Sequence, residues 1–140
     1  MVADRKNLNP NLTSEYFVAS QLLRLGYVVT ITLGQTKEID LLVANPDGRT
    51  RTIDVKGLKD TTNWPLKPKL RREEHFFVLV NYRGKLTDPS FMPEVFVVPS
   101  LEIETLLSPW SGKPEVTCVE YRKIKGSRYQ CAWDLLFPAE

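Results

Sequence analysis

The apolar positions of this chain follow first a helical period and then strand-like runs. An apolar stripe at helical spacing predicts a helix that is capped within residues 11–14 and ends at Leu25, before Gly26. Apolar runs separated by turn residues then predict five strands, at residues 27–33, 38–44, 50–56, 75–82 and 94–98. Helix and strand patterns in one chain indicate a mixed α/β class.

The remaining segments carry weaker patterns. Residues 57–74 form a connection that is long for a compact domain, and Pro68 predicts that any helix within it covers residues 69–74. Beyond the fifth strand we expect a short helix from Pro99 to Leu107, an edge strand at residues 116–121 and a closing helix at residues 129–137. No linker or repeat divides the chain, so we expect one domain over residues 1–140.

Charged residues interrupt the apolar elements. Asp54 and Lys56 point to the same side of the third predicted strand, because a strand alternates its faces. Glu15 falls in the middle of the apolar helix stripe. Charges on apolar faces cost solvation free energy unless they are compensated, and a divalent metal with an anionic substrate would compensate them. A simpler explanation stays open, in which Glu15 favours the helix dipole and Asp54 pairs with Lys56 on an exposed face.

The loop between the second and third predicted strands decides where Asp40 points. A four-residue loop pairs Ala44 with Arg49 and turns Asp40 and Asp54 to opposite faces. A loop of three or five residues, or one bulge, places Asp40 opposite Asp54. The metal-site interpretation requires this second arrangement.

The charge distribution adds a second candidate surface. The net charge is only +2, but residues 49–85 carry ten Lys and Arg against four Asp and Glu, which leaves −4 for the rest. A locally basic segment suits a polyanion, although a solvated loop explains it equally well. The residues that could bind nucleic acid are Lys59, Trp64, Lys67, Lys69, Arg71 and Arg72. For Trp64, packing of the loop onto the sheet is an equally good explanation.

The scarcity of histidine and the placing of the cysteines narrow the chemistry. His75 is the only histidine, which excludes a zinc centre built on several histidines, and we expect it to begin a strand. The two cysteines have no metal-ligand spacing. Without an apolar run that could span a bilayer or a signal peptide, we expect reduced thiols, a cytoplasmic protein and no membrane partner.

Three acids and a lysine together suit a hard cation. Carboxylates without histidine or thiolate favour Mg²⁺ or Mn²⁺ over zinc. Asp40 and Asp54 would bridge the ion, the carbonyl of Val55 would add a ligand, and Glu15 would hold a second ion or a water. Lys56 would orient the attacking water or stabilise the transition state. Replacing Asp40 or Asp54 with alanine is expected to preserve or raise stability, because it removes an unpaired acid.

The motifs resemble those of the PD-(D/E)xK nuclease superfamily and are most similar in order and spacing to archaeal Holliday-junction resolvases. The similar part covers about residues 12–100, and it comprises Glu15, Ile39-Asp40-Leu41-Leu42 and Ile53-Asp54-Val55-Lys56-Gly57. The resemblance implies a restriction-endonuclease-like fold, a mixed sheet of about five strands flanked by helices. It also implies Mg²⁺-dependent DNA hydrolysis, with Glu15, Asp40 and Asp54 as metal-binding acids and Lys56 as the catalytic lysine.

This chain departs from the resolvase pattern at two positions. Asp54 stands where the resolvases usually carry glutamate, and the residue before Asp40 is not proline. Residues 108–140 match no particular branch of the superfamily.

We therefore expect a Mg²⁺-dependent DNA endonuclease, for which branched or otherwise structured DNA is one substrate class left open. An inactive module of the same fold that binds nucleic acid or a protein is the alternative, and a purely structural role for the charged residues is a third. An enzyme that cuts both strands benefits from two-fold symmetry, so a homodimer stays open as well.

Overall fold

The computed structural model describes residues 7–32, 39–60 and 62–139. The helices are α1 (Pro10–Arg24) and α2 (Tyr121–Ile124), with 3₁₀ helices at Ser100–Leu106 and Trp133–Leu135. The strands are β1 (Val28–Ile31), β2 (Leu41–Ala44), β3 (Thr50–Leu58), β4 (Asn63–Pro65), β5 (His75–Asn81), β6 (Glu94–Pro99), β7 (Leu107–Trp110) and β8 (Lys113–Glu120). Within the described residues, no helix is both long enough and apolar enough to cross a bilayer.

Five strands form the principal sheet, in the order β1-β2-β3-β5-β6. β3 and β5 run parallel, whereas the other neighbouring strands of this sheet are antiparallel. The predicted mixed five-stranded sheet in an α/β fold is therefore confirmed. All seven residues of β5 are buried, as expected of a central strand between two covered faces.

A second sheet, which the sequence pattern did not predict, has the order β4-β8-β7. Its strands pair in antiparallel fashion, with Trp64 of β4 opposite Val119 of β8. β8 lies in the middle of this sheet, so the prediction of an edge strand at residues 116–121 was wrong.

The two faces of the principal sheet carry separate hydrophobic clusters. On one face α1 buries Val18 and Leu22 in a cluster with Leu41 and Ile53. On the other face a second cluster packs β5 and β6 against the second sheet and the first 3₁₀ helix, through Trp64, Phe77, Phe96 and Ile103 among others. β5 contributes to both clusters, which explains its complete burial.

Helix α1 begins slightly earlier than the sequence predicted. Asn9 is its N-cap, since the Asn9 side chain accepts a hydrogen bond from the Leu12 N–H at 3.0 Å, and Pro10 occupies the first helical position. Leu25 closes the helix, and Gly26 follows with φ of +91°, as a C-terminal glycine does.

The expected helix at residues 69–74 is absent from the described structure. Backbone groups of this segment bond to other parts of the chain instead: the Glu74 carbonyl accepts from the Thr52 N–H at 2.9 Å. Ser100 Oγ accepts from the Arg72 N–H and donates to its carbonyl, at 2.9 and 2.7 Å. Tertiary hydrogen bonds therefore replace helical ones.

The C-terminal segment also differs from its prediction. In place of a helix over residues 129–137, the structure has a short 3₁₀ helix at Trp133–Leu135. The preceding residues pair with the edge of β6, because the Val97 N–H donates to the Tyr129 carbonyl and the Cys131 N–H donates to the Val95 carbonyl. Leu33 and Glu38, at the ends of two predicted strands, lie outside the described residues.

Gly57 allows α1 to lie directly on the backbone of β3. A Cβ atom at this position would stand 2.2 Å from the Pro10 carbonyl oxygen and 2.3 Å from Ser14 Oγ. The Gly57 N–H donates to Asn11 Oδ1 at 2.8 Å. The first turn of α1 is therefore fixed to β3 one residue beyond Lys56.

Replacing Gly57 with alanine should destabilise the protein by about 1–3 kcal/mol, because the added methyl group forces the start of α1 away from β3. The free energy of unfolding in urea measures this loss. Thr50→Ala, at an exposed position of the same strand, serves as the control. Equal stability of the two variants would contradict the close approach of α1.

Candidate functional site

The pairing of β2 with β3 brings Asp40 beside Asp54. Ala44 lies opposite Thr50 and Leu41 opposite Ile53, so five residues, 45–49, connect the two strands. Asp40 immediately precedes β2 and Asp54 immediately follows Ile53. The odd-length loop that the metal-site interpretation required is therefore present.

The Asp40 carboxylate closes the end of this strand pair. The Asp40 N–H donates to the Ile53 carbonyl at 2.9 Å, and Asp40 Oδ2 accepts from the Val55 N–H at 2.7 Å. A carboxylate oxygen thus takes the place of the backbone carbonyl that a longer β2 would offer. This charge-assisted hydrogen bond fixes the carboxylate beside the backbone of the residue that follows Asp54.

Asp54 and Lys56 lie on the face of β3 that points away from α1. Ile53 and Val55 are buried in the cluster beneath α1, whereas Asp54 and Lys56 are half-buried on the other side. The shared face of Asp54 and Lys56 predicted from the sequence is therefore present.

The same face of the principal sheet is open toward β1 and β2. Val28 and Leu42 lie on this face with 68% and 39% of their surface exposed. They are exposed because the second sheet covers this face only over β5 and β6. We call the surface formed by Val28, Thr30, Leu42, Asp54 and Lys56 the open sheet face. Asp54 and Lys56 lie where the covered part of the sheet meets this open face.

The backbone of Val55 faces Asp40. In a strand, the N–H and the carbonyl of one residue point toward the same neighbouring strand. Because the Val55 N–H donates to Asp40, the Val55 carbonyl is directed to the same side. The two candidate carboxylates and this carbonyl therefore belong to one end of the β2–β3 pair.

Glu15 occupies a different position. It is 6% exposed and lies on the side of α1 that carries Val18 and Leu22, which pack against the opposite face of the sheet from Asp54. Across residues 7–32, 39–60 and 62–139, no three His, Cys, Asp or Glu side chains form a group that could hold a metal ion. The structure thus brings together Asp40, Asp54 and Lys56, and among the described residues Glu15 does not form a three-acid group with the two aspartates.

His75 is a neighbour of Asp54 that sequence reasoning did not connect with the site. The parallel pairing of β3 with β5 places His75 opposite Thr52. The imidazole is fully buried, with Nδ1 2.7 Å from Thr52 Oγ1 and Nε2 3.4 Å from Asp54 Oδ2. No local pattern indicated this contact, because the alternation of apolar residues within a strand does not reveal its register with a parallel neighbour.

Trp64 is a core residue, and its assignment to nucleic-acid binding is corrected. Its side chain is fully buried, and its Nε1–H donates to the Val80 carbonyl at 3.2 Å. The indole packs edge-on to Phe96 with ring centroids 5.8 Å apart. Stacking on a base would require this side chain to leave the second cluster.

The basic candidates divide into paired and exposed residues. Arg71 forms an ion pair with Glu104, and Arg72 forms one with Glu74 at 3.3 Å. Within the described part of the chain no ion pair is recorded for the exposed residues Lys59, Lys67 and Lys69.

The connection over residues 57–74, which carries these basic residues, ends beside the candidate site. The Thr52 N–H donates to the Glu74 carbonyl at 2.9 Å, which fixes the end of this segment to β3 two residues before Asp54. Lys67 and Arg71 also line an open groove of about 620 Å³.

Comparisons with known proteins give one structural similarity. No protein-family model matches the chain, and no curated protein is significantly similar to it. A solved structure described as a bacterial homing endonuclease, I-Ssp6803I, is similar over 71% of this chain and 67% of that one, with 17% identity and a TM-score of 0.45. This similarity is too distant to assign a function or site residues to this chain.

Asp40→Ala should lower the free energy of unfolding by about 1.5–3 kcal/mol, because the buried Val55 N–H loses its charged acceptor. This replaces the expectation from sequence that removal of the acid preserves stability. Asp40→Asn keeps an acceptor oxygen and should lose less. Urea unfolding in the absence of divalent metal measures both variants, and wild-type stability of Asp40→Ala would contradict the role of this hydrogen bond.

Proposed function

We propose that this protein is a divalent-metal-dependent DNA endonuclease. The observation that supports the proposal most strongly is the β2–β3 register. It sets the Asp40 carboxylate beside the backbone next to Asp54, with Lys56 two residues further along the same strand. The resemblance to PD-(D/E)xK nucleases rests on these same residues.

The available ligand atoms fit Mg²⁺ or Mn²⁺. Asp40, Asp54 and the Val55 carbonyl offer only oxygen atoms, which these hard cations prefer. Neighbouring carboxylates repel each other unless a cation lies between them. When bound, such an ion would make a water more acidic and offset the negative charge of a scissile phosphate.

Lys56 would act on the substrate side of this site. Its ammonium group shares a face with the Asp54 carboxylate and would donate hydrogen bonds to the attacking water or to a phosphate oxygen. The exposed Leu42 and Thr30 border the two residues on the open sheet face, where the backbone of a DNA strand has access.

Glu15 would contribute from the side of α1. We assign it a second ion or an ordered water rather than the first ion, because it packs with the cluster on the other face of the sheet. This assignment makes Glu15 an accessory residue, whereas Asp40, Asp54 and Lys56 carry the reaction.

DNA would be held by the connection over residues 57–74, which leads into β5. Lys59, Lys67 and Lys69 are exposed, and cations of this kind contact phosphates without regard to sequence. Structured DNA is the substrate class that we propose. The protein would act in the cytoplasm as a single domain, and a homodimer would cut both strands with two-fold symmetry.

A module that binds nucleic acid without cutting it is the second candidate. The observation that favours it is the separation of Glu15 from the two aspartates, since no three acids share one site within the described residues. Binding that depends on salt but not on a divalent metal would distinguish this module from the enzyme.

Asp54→Asn should abolish cleavage of a DNA panel of branched, linear and single-stranded substrates in Mg²⁺ or Mn²⁺. Lys56→Met should lower kcat by about 10²–10³-fold, because it removes a charge that stabilises the transition state, while Mn²⁺ affinity is retained. Asp134→Asn and Lys113→Met, at exposed positions of the last 3₁₀ helix and of β8, are the matched controls. Cleavage by purified Asp54→Asn at the wild-type rate would refute the proposed site.

The Lys67→Ala/Lys69→Ala double variant should weaken DNA binding more than Arg71→Ala/Arg72→Ala, because both arginines already pair with glutamates. Its plot of log affinity against log salt should have a slope smaller by about 2, roughly 0.9 for each lost phosphate contact. Fluorescence anisotropy at several salt concentrations, with EDTA present, measures this. An unchanged slope would remove these lysines from the interface.

A further inference from the structure

We propose that His75 is a positioning residue that fixes the orientation of the Asp54 carboxylate. This inference rests on the proposed function, because it gives His75 a role only if Asp54 binds a metal ion. It concerns a short chain of side chains on one sheet face, Thr52, His75 and Asp54.

The fold leaves the imidazole little freedom. His75 is the first residue of β5, lies opposite Thr52 of β3 and has no exposed surface. Its ring packs edge-on to Phe77, with centroids 5.1 Å apart and an interplanar angle of 85°. Phe77 in turn lies opposite Asp54, so all four residues occupy adjoining positions of one parallel strand pair.

One ring nitrogen of His75 is satisfied, and the other is unsatisfied and lies near the Asp54 carboxylate. Nδ1 lies 2.7 Å from Thr52 Oγ1. Nε2 has no hydrogen-bond partner among the described residues, and Asp54 Oδ2 lies 3.4 Å from it. Since an unpaired buried N–H costs free energy, a donor at Nε2 and an acceptor at Oδ2 are the complementary choice.

The position of the imidazole hydrogen follows from this arrangement. If the Thr52 hydroxyl donates to Nδ1, the ring hydrogen is on Nε2 and faces the carboxylate. With the only hydrogen on Nδ1, the Nε2 lone pair would face a carboxylate oxygen, and two acceptors would be in contact. We therefore assign a hydrogen to Nε2.

A hydrogen bond to Oδ2 would hold one oxygen of Asp54 and leave the other for a ligand. Partners of this kind orient metal-binding side chains, and their loss typically weakens metal binding by about 10–100-fold. The competing explanation is that His75 only fills space beside Phe77. An apolar residue of similar size would then serve equally well.

The wild-type protein gives the first test, because its single histidine yields two ring signals in ¹⁵N NMR, one from Nδ1 and one from Nε2. We expect a protonated Nε2 in the metal-free protein and a shift of that signal in Asp54→Asn but not in Asp134→Asn. An unprotonated Nε2, or an Nε2 signal that does not shift in Asp54→Asn, would overturn the inference. Neither result depends on a measurement of enzyme activity.

Mn²⁺ affinity, measured by calorimetry, gives the second test. Thr52→Val should weaken Mn²⁺ binding by about tenfold, whereas Thr50→Val, on the same face of the same strand, should not. His75→Gln, whose amide can replace the Nε2 donor, should bind Mn²⁺ more tightly than His75→Leu. Equal affinity of the wild type, Thr52→Val and His75→Leu would overturn the inference.

The outcomes separate this inference from the proposed function. A wild-type protein that cuts DNA with metal, while the Thr52 and His75 variants bind Mn²⁺ normally, overturns the role of His75 alone. A wild-type protein that neither binds Mn²⁺ nor cuts any substrate overturns both.

Discussion

The antiparallel pairing of β2 with β3 is the constraint on which the candidate site depends. A slip of one residue would turn the side chains of one strand to the other face and separate Asp40 from Asp54. The loop at residues 45–49 sets the register, because Asn45 Oδ1 accepts from the Arg49 N–H at 2.9 Å and Gly48 adopts φ of +91°. At the other end, the Asp40 carboxylate bonds to the Val55 N–H. The Asp40 carboxylate thus supplies the last hydrogen bond of the strand pair and is also one of the candidate site residues.

Packing from two sides then fixes β3 while leaving part of it accessible. α1 lies against one face and approaches the backbone directly at Gly57. The second sheet covers the other face over β5 and β6, where Trp64 is fully buried. Because this cover ends before β1 and β2, Asp54 lies at a boundary, with a carboxylate that is 17% exposed beside a fully buried imidazole. Such partial burial strengthens electrostatic interactions and still admits a ligand.

Local patterns predicted α1, the five strands of the principal sheet and the shared face of Asp54 and Lys56, because each depends on periodicity alone. The register of the β2–β3 hairpin depends on the length of its loop, and the sequence was compatible with both even and odd lengths. The second sheet was missed because Trp64 and Val119 pair across a long stretch of chain. The contact between His75 and Asp54 was missed for a related reason, since it arises from parallel pairing through a crossover connection. Long-range pairing leaves little trace in local hydrophobic patterns.

A crystal structure of the protein grown with Mn²⁺, analysed by anomalous scattering, would show whether Asp40 and Asp54 bind a shared metal ion. We predict one Mn²⁺ ion at the end of the β2–β3 pair, bound by carboxylate oxygens of Asp40 and Asp54 and by the Val55 carbonyl at about 2.1 Å, a distance typical of small hard cations. An ion bound elsewhere, or no ion at millimolar Mn²⁺, would contradict it.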